Sequence, residues 1–174
     1  MPGRGTRELP PDDILLQVTP ALPLADVWRG LVEPPHLEKW LAPRVNVELR
    51  EGGAFELFWD PEDPDRNSTR GCRILRLRSE EELAFSWKAP PPFDGLMNHM
   101  DPLTEVQIRV APCPEGIDVT LEHRGWRAGP EWEEARSWHF HFWEETLYRF
   151  RDYLMTGEAP TPPRRERAPV FEPE

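Results

Sequence analysis

The sequence predicts an α+β domain: an antiparallel sheet of about seven strands, two short helices after the first strand, and one long C-terminal helix. Three observations carry this. In RVNVELR (44–50), Val45, Val47 and Leu49 occupy alternate positions, the period of a half-buried strand, and similar runs recur up to residue 124. Glu51-Gly52-Gly53 separates that run from AFELFW (54–59) with the chemistry of a hairpin turn. Residues 131–156 contain neither glycine nor proline and carry apolar groups at helical spacing, and Gly157 then stands where a helix C-cap belongs.

Residues 1–12 are polar, carry Pro10 and Pro11, and read as a flexible leader to a domain spanning 13–157. ILLQV (14–18) is the first expected strand. PLADVWRGLV (23–32) places Leu24, Val27, Trp28 and Leu31 on one helical face, with Pro34 and Pro35 ending it. HLEKWLA (36–42) is a second short helix stopped by Pro43. After the hairpin, strands are expected at 68–78, 82–88, 103–111 and 116–124. The acidic turn 60–67 lacks the spacing and central glycine of a calcium loop and reads as a solvated loop. Residues 158–174 form a tail rich in proline and charge that should not pack by itself.

The stretch HFHFWEETLYRF (139–150) poses a choice. On a strand, His139 and His141 would share a face and could grip a metal; on a helix they point nearly opposite ways. A wheel at 100° per residue puts Trp143, Phe150, His139 and Leu154 within about 40° of Trp132, and puts His141 on the far side. The segment is therefore read as an amphipathic helix with His139 inside and His141 outside, which excludes a two-histidine clamp within it.

A net charge of −11 argues against a nucleic-acid partner, which needs a basic face. No apolar run is long enough to span a bilayer, and the N-terminal residues lack the apolar stretch of a signal peptide, so the expected compartment is the cytoplasm. Cys72 and Cys113 are isolated and read as reduced thiols rather than metal ligands. Among the basic residues only Lys39 and Lys88 are lysines, a bias that points to a GC-rich bacterial genome. No GxSxG elbow and no glycine-rich phosphate loop is present, so the residues suggest no catalytic set, no cofactor and no metal.

Several ordered motifs over residues 13–157 resemble one family. DVWRGLVEPPHLEKWLAPRV (26–45), REGGAFELFWDPE (50–62), LAFSWKAP (83–90), VTLEHRGW (119–126) and HFHFWEETLYRFRDYL (139–154) are similar to the motifs of proteins resembling the activator of heat-shock-protein-90 ATPase. These belong to the START/birch-allergen-like (SRPBCC) superfamily. The resemblance implies the helix-grip fold, in which the sheet curls around the C-terminal helix and leaves a pocket between them. It also implies three functional readings: a domain binding a small hydrophobic or amphipathic ligand, a chaperone-cofactor-like protein-interaction module or homodimer, and a cyclase or dehydratase-like enzyme. One residue departs from the pattern. Phe142 stands where the family carries a glycine before the helix tryptophan, so the pocket should be narrowed beside it.

Within that architecture the strand stripes supply Phe55, Leu57 and Trp59, then Phe85 and Trp87, then Ile108, then Leu121 and His123 as expected ligand contacts. The helices add Trp28, Trp40, His139, Phe142, Trp143 and Phe150. His139 is the most pointed candidate, since a histidine among aromatics needs a hydrogen-bond partner and could offer a polar group to a ligand. Convergence of His123 with it would allow an acid–base pair or a metal site. The connector APPPFDGLMNHMDP (89–102) is too apolar for a solvated loop; Phe93, Leu96, Met97 and Met100, with Trp126, are expected to form a lid over one mouth of the pocket.

Overall fold

The computed structural model describes residues 12–159 and 163–165. The expected leader at 1–12, apart from Asp12, and most of the expected tail at 158–174 lie outside the described residues.

Seven antiparallel strands, in a five-stranded and a two-stranded sheet, are β1 (Ile14–Val18), β2 (Arg44–Val47), β3 (Phe55–Phe58), β4 (Ile74–Arg78), β5 (Glu82–Ser86), β6 (Glu105–Cys113) and β7 (Gly116–Arg124). Five run in the order β1-β7-β6-β5-β4, and β2 pairs with β3. Bridges between Ala54 and Arg73 and between Phe58 and Ser68 tie the hairpin to the chain leading into β4. The registers set Leu83, Ile108, Leu121 and Leu16 in one row and Phe85, Val106, His123 and Ile14 in the next. Alternation then sends Ile117, Val119, Leu121 and His123 of β7 inward. The intervening residues carry ion pairs, with Arg76 joining Glu82 and Glu105, and Arg124 joining Glu122.

The expected strand at 68–78 is shorter, and the reason is local. Gly71 takes a left-handed φ of +89°, and the Thr69 hydroxyl accepts the Leu57 N–H while Cys72 N–H turns back to the Thr69 carbonyl. Those bonds curl residues 68–73 before regular pairing begins at Ile74.

Two helices, α1 (Leu24–Val32) and α2 (Pro34–Trp40), follow β1. Pro34 and Pro35 end the first, as expected, but they also open the second, because proline lacks only an N–H that the first turn leaves unbonded. A short helix, α3 (Asp94–Met97), interrupts the connector that the sequence left irregular. The last helix, α4 (Pro130–Thr156), ends with Gly157 at φ +78°, donating its N–H to the Tyr153 carbonyl at 2.7 Å. Gly30 on α1 packs so closely on α4 that a Cβ would lie 2.8 Å from Leu154 Cδ2.

Helix α4 buries Trp132, Ala135, His139, Phe142, Trp143, Thr146, Leu147, Phe150 and Tyr153. His139 is fully buried and His141 exposed, as the wheel requires. The inner stripes of the sheet, α4 and α1–α2 merge into one core.

Candidate functional site: an aromatic interior closed by a buried arginine

The structure divides the expected contact residues into two groups. Trp40 lies on Phe150 at 4.7 Å beneath α1 and α2, with Trp28 in the same core. The second group gathers at the end of the sheet where β3, β5 and β7 terminate. There Trp87 touches Trp59, His123, His139, Phe142 and Trp143 at ring separations from 4.9 to 6.1 Å. Phe55 stacks on Phe85 at 4.1 Å, and Phe85 reaches Trp87. Leu57, Ile108 and Leu121 fill the aliphatic floor. Phe142 is 7 % exposed, stacked on Trp138 at 5.3 Å and edge-on to Trp59 and Trp143. It therefore sits in the space between helix and sheet that a glycine would leave open.

His123 and His139 converge with ring centroids 5.4 Å apart. An indole N–H can only donate, and this fixes both tautomers. Trp87 Nε1 donates to His139 Nε2 at 3.0 Å, so His139 Nδ1 holds the proton and donates to the Ala135 carbonyl at 2.7 Å. Trp143 Nε1 donates to His123 Nδ1 at 3.0 Å, so His123 Nε2 donates to the Thr104 hydroxyl at 3.0 Å. Burial drives the His139 pKa down to about 3, against the opposing pull of the Ala135 carbonyl. Burial, then the proximity of His139, holds His123 well below the usual histidine range. All four ring nitrogens are engaged, so neither ring has a lone pair or a proton to spare for acid–base work or a metal. Among the described residues no cluster of three or more His, Cys, Asp or Glu could hold a metal ion.

The residues expected as a lid cover this pair. Trp126 lies 4.6 Å from His123 and 5.2 Å from His139, and its N–H donates to the His123 carbonyl. Phe93 rests on Trp138 and His139, and Met97 is buried with it. Leu96 and Met100 are half-buried. The Asn98 side chain pins the connector, accepting the Ala89 N–H at 2.6 Å and donating to the Ala89 carbonyl at 2.9 Å.

Arg165 carries no mark of burial in the sequence. It is 2 % exposed, and its guanidinium carbon lies 4.2 Å from the centre of the Trp59 ring and 5.2 Å from that of Trp87. Nε donates to Asn67 Oδ1 at 2.7 Å, Nη1 donates to the Lys88 carbonyl, and the Arg165 carbonyl accepts from Asn67 Nδ2 at 2.5 Å. Nη2 is buried without a partner among the described residues. Burial pushes the guanidinium pKa down to about 9, with Cys72 and Asp94 acting the other way, so the group still enters the core as a cation at neutral pH.

A cleft of about 510 Å³ opens beside this arginine; Asn67 and Lys88 line it and also bond Arg165, and Ala89, Asp94 and Asn98 complete that wall. A second cleft of about 400 Å³ lies between Phe93, Leu96 and the start of α4, at Glu131 and Glu134.

Solved structures similar to this chain share its fold at low identity. Protein MLL2253 of Mesorhizobium loti superposes with a TM-score of 0.64 at 19 % identity, over 83 % of this chain and 96 % of that one. The Aha1 dimer of Colwellia psychrerythraea gives 0.62 at 14 % identity, over 84 % and 98 %. CalU16 of Micromonospora echinospora gives 0.59 at 23 % identity, over 86 % and 77 %. No curated protein matches the chain. No helix among the described residues is long and apolar enough to cross a membrane. With a curved antiparallel sheet gripping one long C-terminal helix, and with residues 21–155 matching the family described as Activator of Hsp90 ATPase homolog 1-like protein, the chain belongs to that family.

Proposed function

We propose that this is a cytoplasmic small-molecule-binding domain whose ligand, amphipathic and mostly aromatic, lies among Trp59, Trp87 and Phe142 and enters through the cleft beside Asn67 and Lys88. One observation carries the reading. The space against Trp59 and Trp87 is filled by a side chain from beyond the C-terminal helix, whereas the buried hydrophobic core is filled by the sheet, the helices and their connectors. A tail residue can withdraw without dismantling the core, and its withdrawal leaves an aromatic-walled opening next to a cleft. Phe93, Met97 and Trp126 then act as a cover over the histidine pair rather than as the entrance.

Native mass spectrometry of the freshly purified chain, paired with tryptophan quenching by small aromatic probes, tests this. A bound mass, or saturable quenching that strengthens when residues 158–174 are removed, is expected. Absence of both in the full chain and in the shortened one would refute the proposal.

The Aha1 dimer among the similar structures supports a second reading, self-association. Sedimentation velocity over a range of concentrations tests it, and a sedimentation coefficient independent of concentration at the monomer value removes it.

A further inference from the structure

We propose that the Trp59–Trp87 slot is a site for a planar nitrogen cation, of the guanidinium or amidinium class, and that Arg165 is its built-in competitor; this rests on the ligand-binding reading above and names the ligand's chemistry.

The walls select such a group in two ways. The faces of two indoles approach the guanidinium carbon at 4.2 and 5.2 Å, and an indole face carries negative charge density that draws a flat cation. The rim presents acceptors, Asn67 Oδ1 and the Lys88 carbonyl, to the in-plane N–H groups. Acceptors set around a flat aromatic slot match a fork of N–H donors, as a guanidinium or amidinium presents. Asp94 lies close enough to favour positive charge there, and it lines the adjoining cleft, through which the remainder of a ligand would extend.

The present occupant is held incompletely. No carboxylate pairs with Arg165 among the described residues, and Nη2 is buried with no partner. Removing a cation from water without an ion pair is costly, so the tail's hold depends on the indole faces and three hydrogen bonds. What retains it is the covalent tether. Helix α4 ends at Thr156, and only seven residues separate Gly157 from Arg165. Phe142, which also packs on Trp59 and Trp87, lies 14 residues before Thr156, about 21 Å back along the helix, a distance an extended tail covers easily. The tether keeps the arginine at a high effective concentration at the slot, and a free ligand competes against that concentration.

Benzamidine, a planar amidinium, and its neutral isostere benzamide are the probes, with tryptophan fluorescence and thermal shift as readouts. In the full chain carrying Arg165→Ala, benzamidine is expected to bind about tenfold or more tighter than in the unaltered chain, because the competitor is gone. Benzamide should bind R165A more weakly than benzamidine, and Trp59→Ala added to R165A should abolish the preference. Equal binding of the two probes by R165A would overturn the cation preference while leaving the ligand-binding reading intact. Failure of R165A, folded by circular dichroism, to bind either probe would sink both. The unaltered chain provides a test independent of any substitution. Its buried Arg165 Nε–H should give a protected resonance that disappears as benzamidine is titrated, and a resonance indifferent to saturating benzamidine would overturn the competition.

Discussion

His123 and His139 look alike in the sequence, yet each holds its proton on a different nitrogen. The cause is the tryptophan that meets each ring: Trp143 reaches Nδ1 of His123, and Trp87 reaches Nε2 of His139. Nitrogen-15 NMR should therefore show His123 as the Nε2–H tautomer and His139 as the Nδ1–H tautomer, both neutral at pH 5. Two matching tautomers, or charged rings at that pH, would break the assignment. Phe142 is governed by packing alone. Truncating it to alanine removes a ring held among Trp59, Trp87, Trp138 and Trp143, and should cost about 3 kcal/mol in urea unfolding, as large-to-small core changes do. A loss below about 1 kcal/mol would mean that the ring is not part of the core.

The connector between β5 and β6 is the element whose role is most open to experiment. Its apolar residues are explained by what they cover, the rings of His139 and Trp138. Its shape depends on Asn98, which bonds Ala89 twice, as a neighbouring strand would. Asn98→Ala should leave two buried backbone groups unpaired, destabilise the connector by about 1–3 kcal/mol, and raise hydrogen exchange across 89–102 while the sheet core stays protected. Uniform exchange across the domain would show that the connector opens only with global unfolding. If the connector is a lid, protection of 89–102 in the unaltered chain should rise when a ligand is added. High protection unchanged by ligand and by protein concentration would make it a permanent cover.

For the whole molecule, the buried histidines predict acid sensitivity. Unfolded, each ring takes up a proton near its ordinary pKa of about 6.5; folded, His139 does so only near 3. Its folded pKa is depressed, so the stabilisation is fully present above pH 6.5 and is lost as the pH falls toward 3. Between pH 7 and pH 5 the loss from His139 alone is about 2 kcal/mol, and His123 adds a loss of the same sign. Urea unfolding at the two pH values measures it, and a flat stability across that window would show that the rings charge without leaving the core.

The order of strands, the long helix and the inward face of His139 were legible in the sequence because they follow from repeating periods. Alternation marks a strand, a 100° stripe marks a helix face, and glycine and proline mark their ends, all within a few consecutive residues. The opening of α2 at Pro34 and the curl before β4 departed from that reading through single local bonds. The family motifs indicated the grip of sheet on helix. Other features depended on the meeting of distant residues. Arg165 binds Asn67, 98 positions away, and the two histidine tautomers are set by tryptophans 20 and 52 positions off. An arginine in a tail of proline and charge carries no periodic mark of burial; only the folded arrangement of Trp59, Trp87 and the Lys88 carbonyl creates a place where a cation can leave water. The sequence by itself determined the architecture and which faces turn inward, because those depend on local geometry. The tertiary structure alone decided what fills the interior and which atoms remain free to react, because those depend on the partners that the fold brings together.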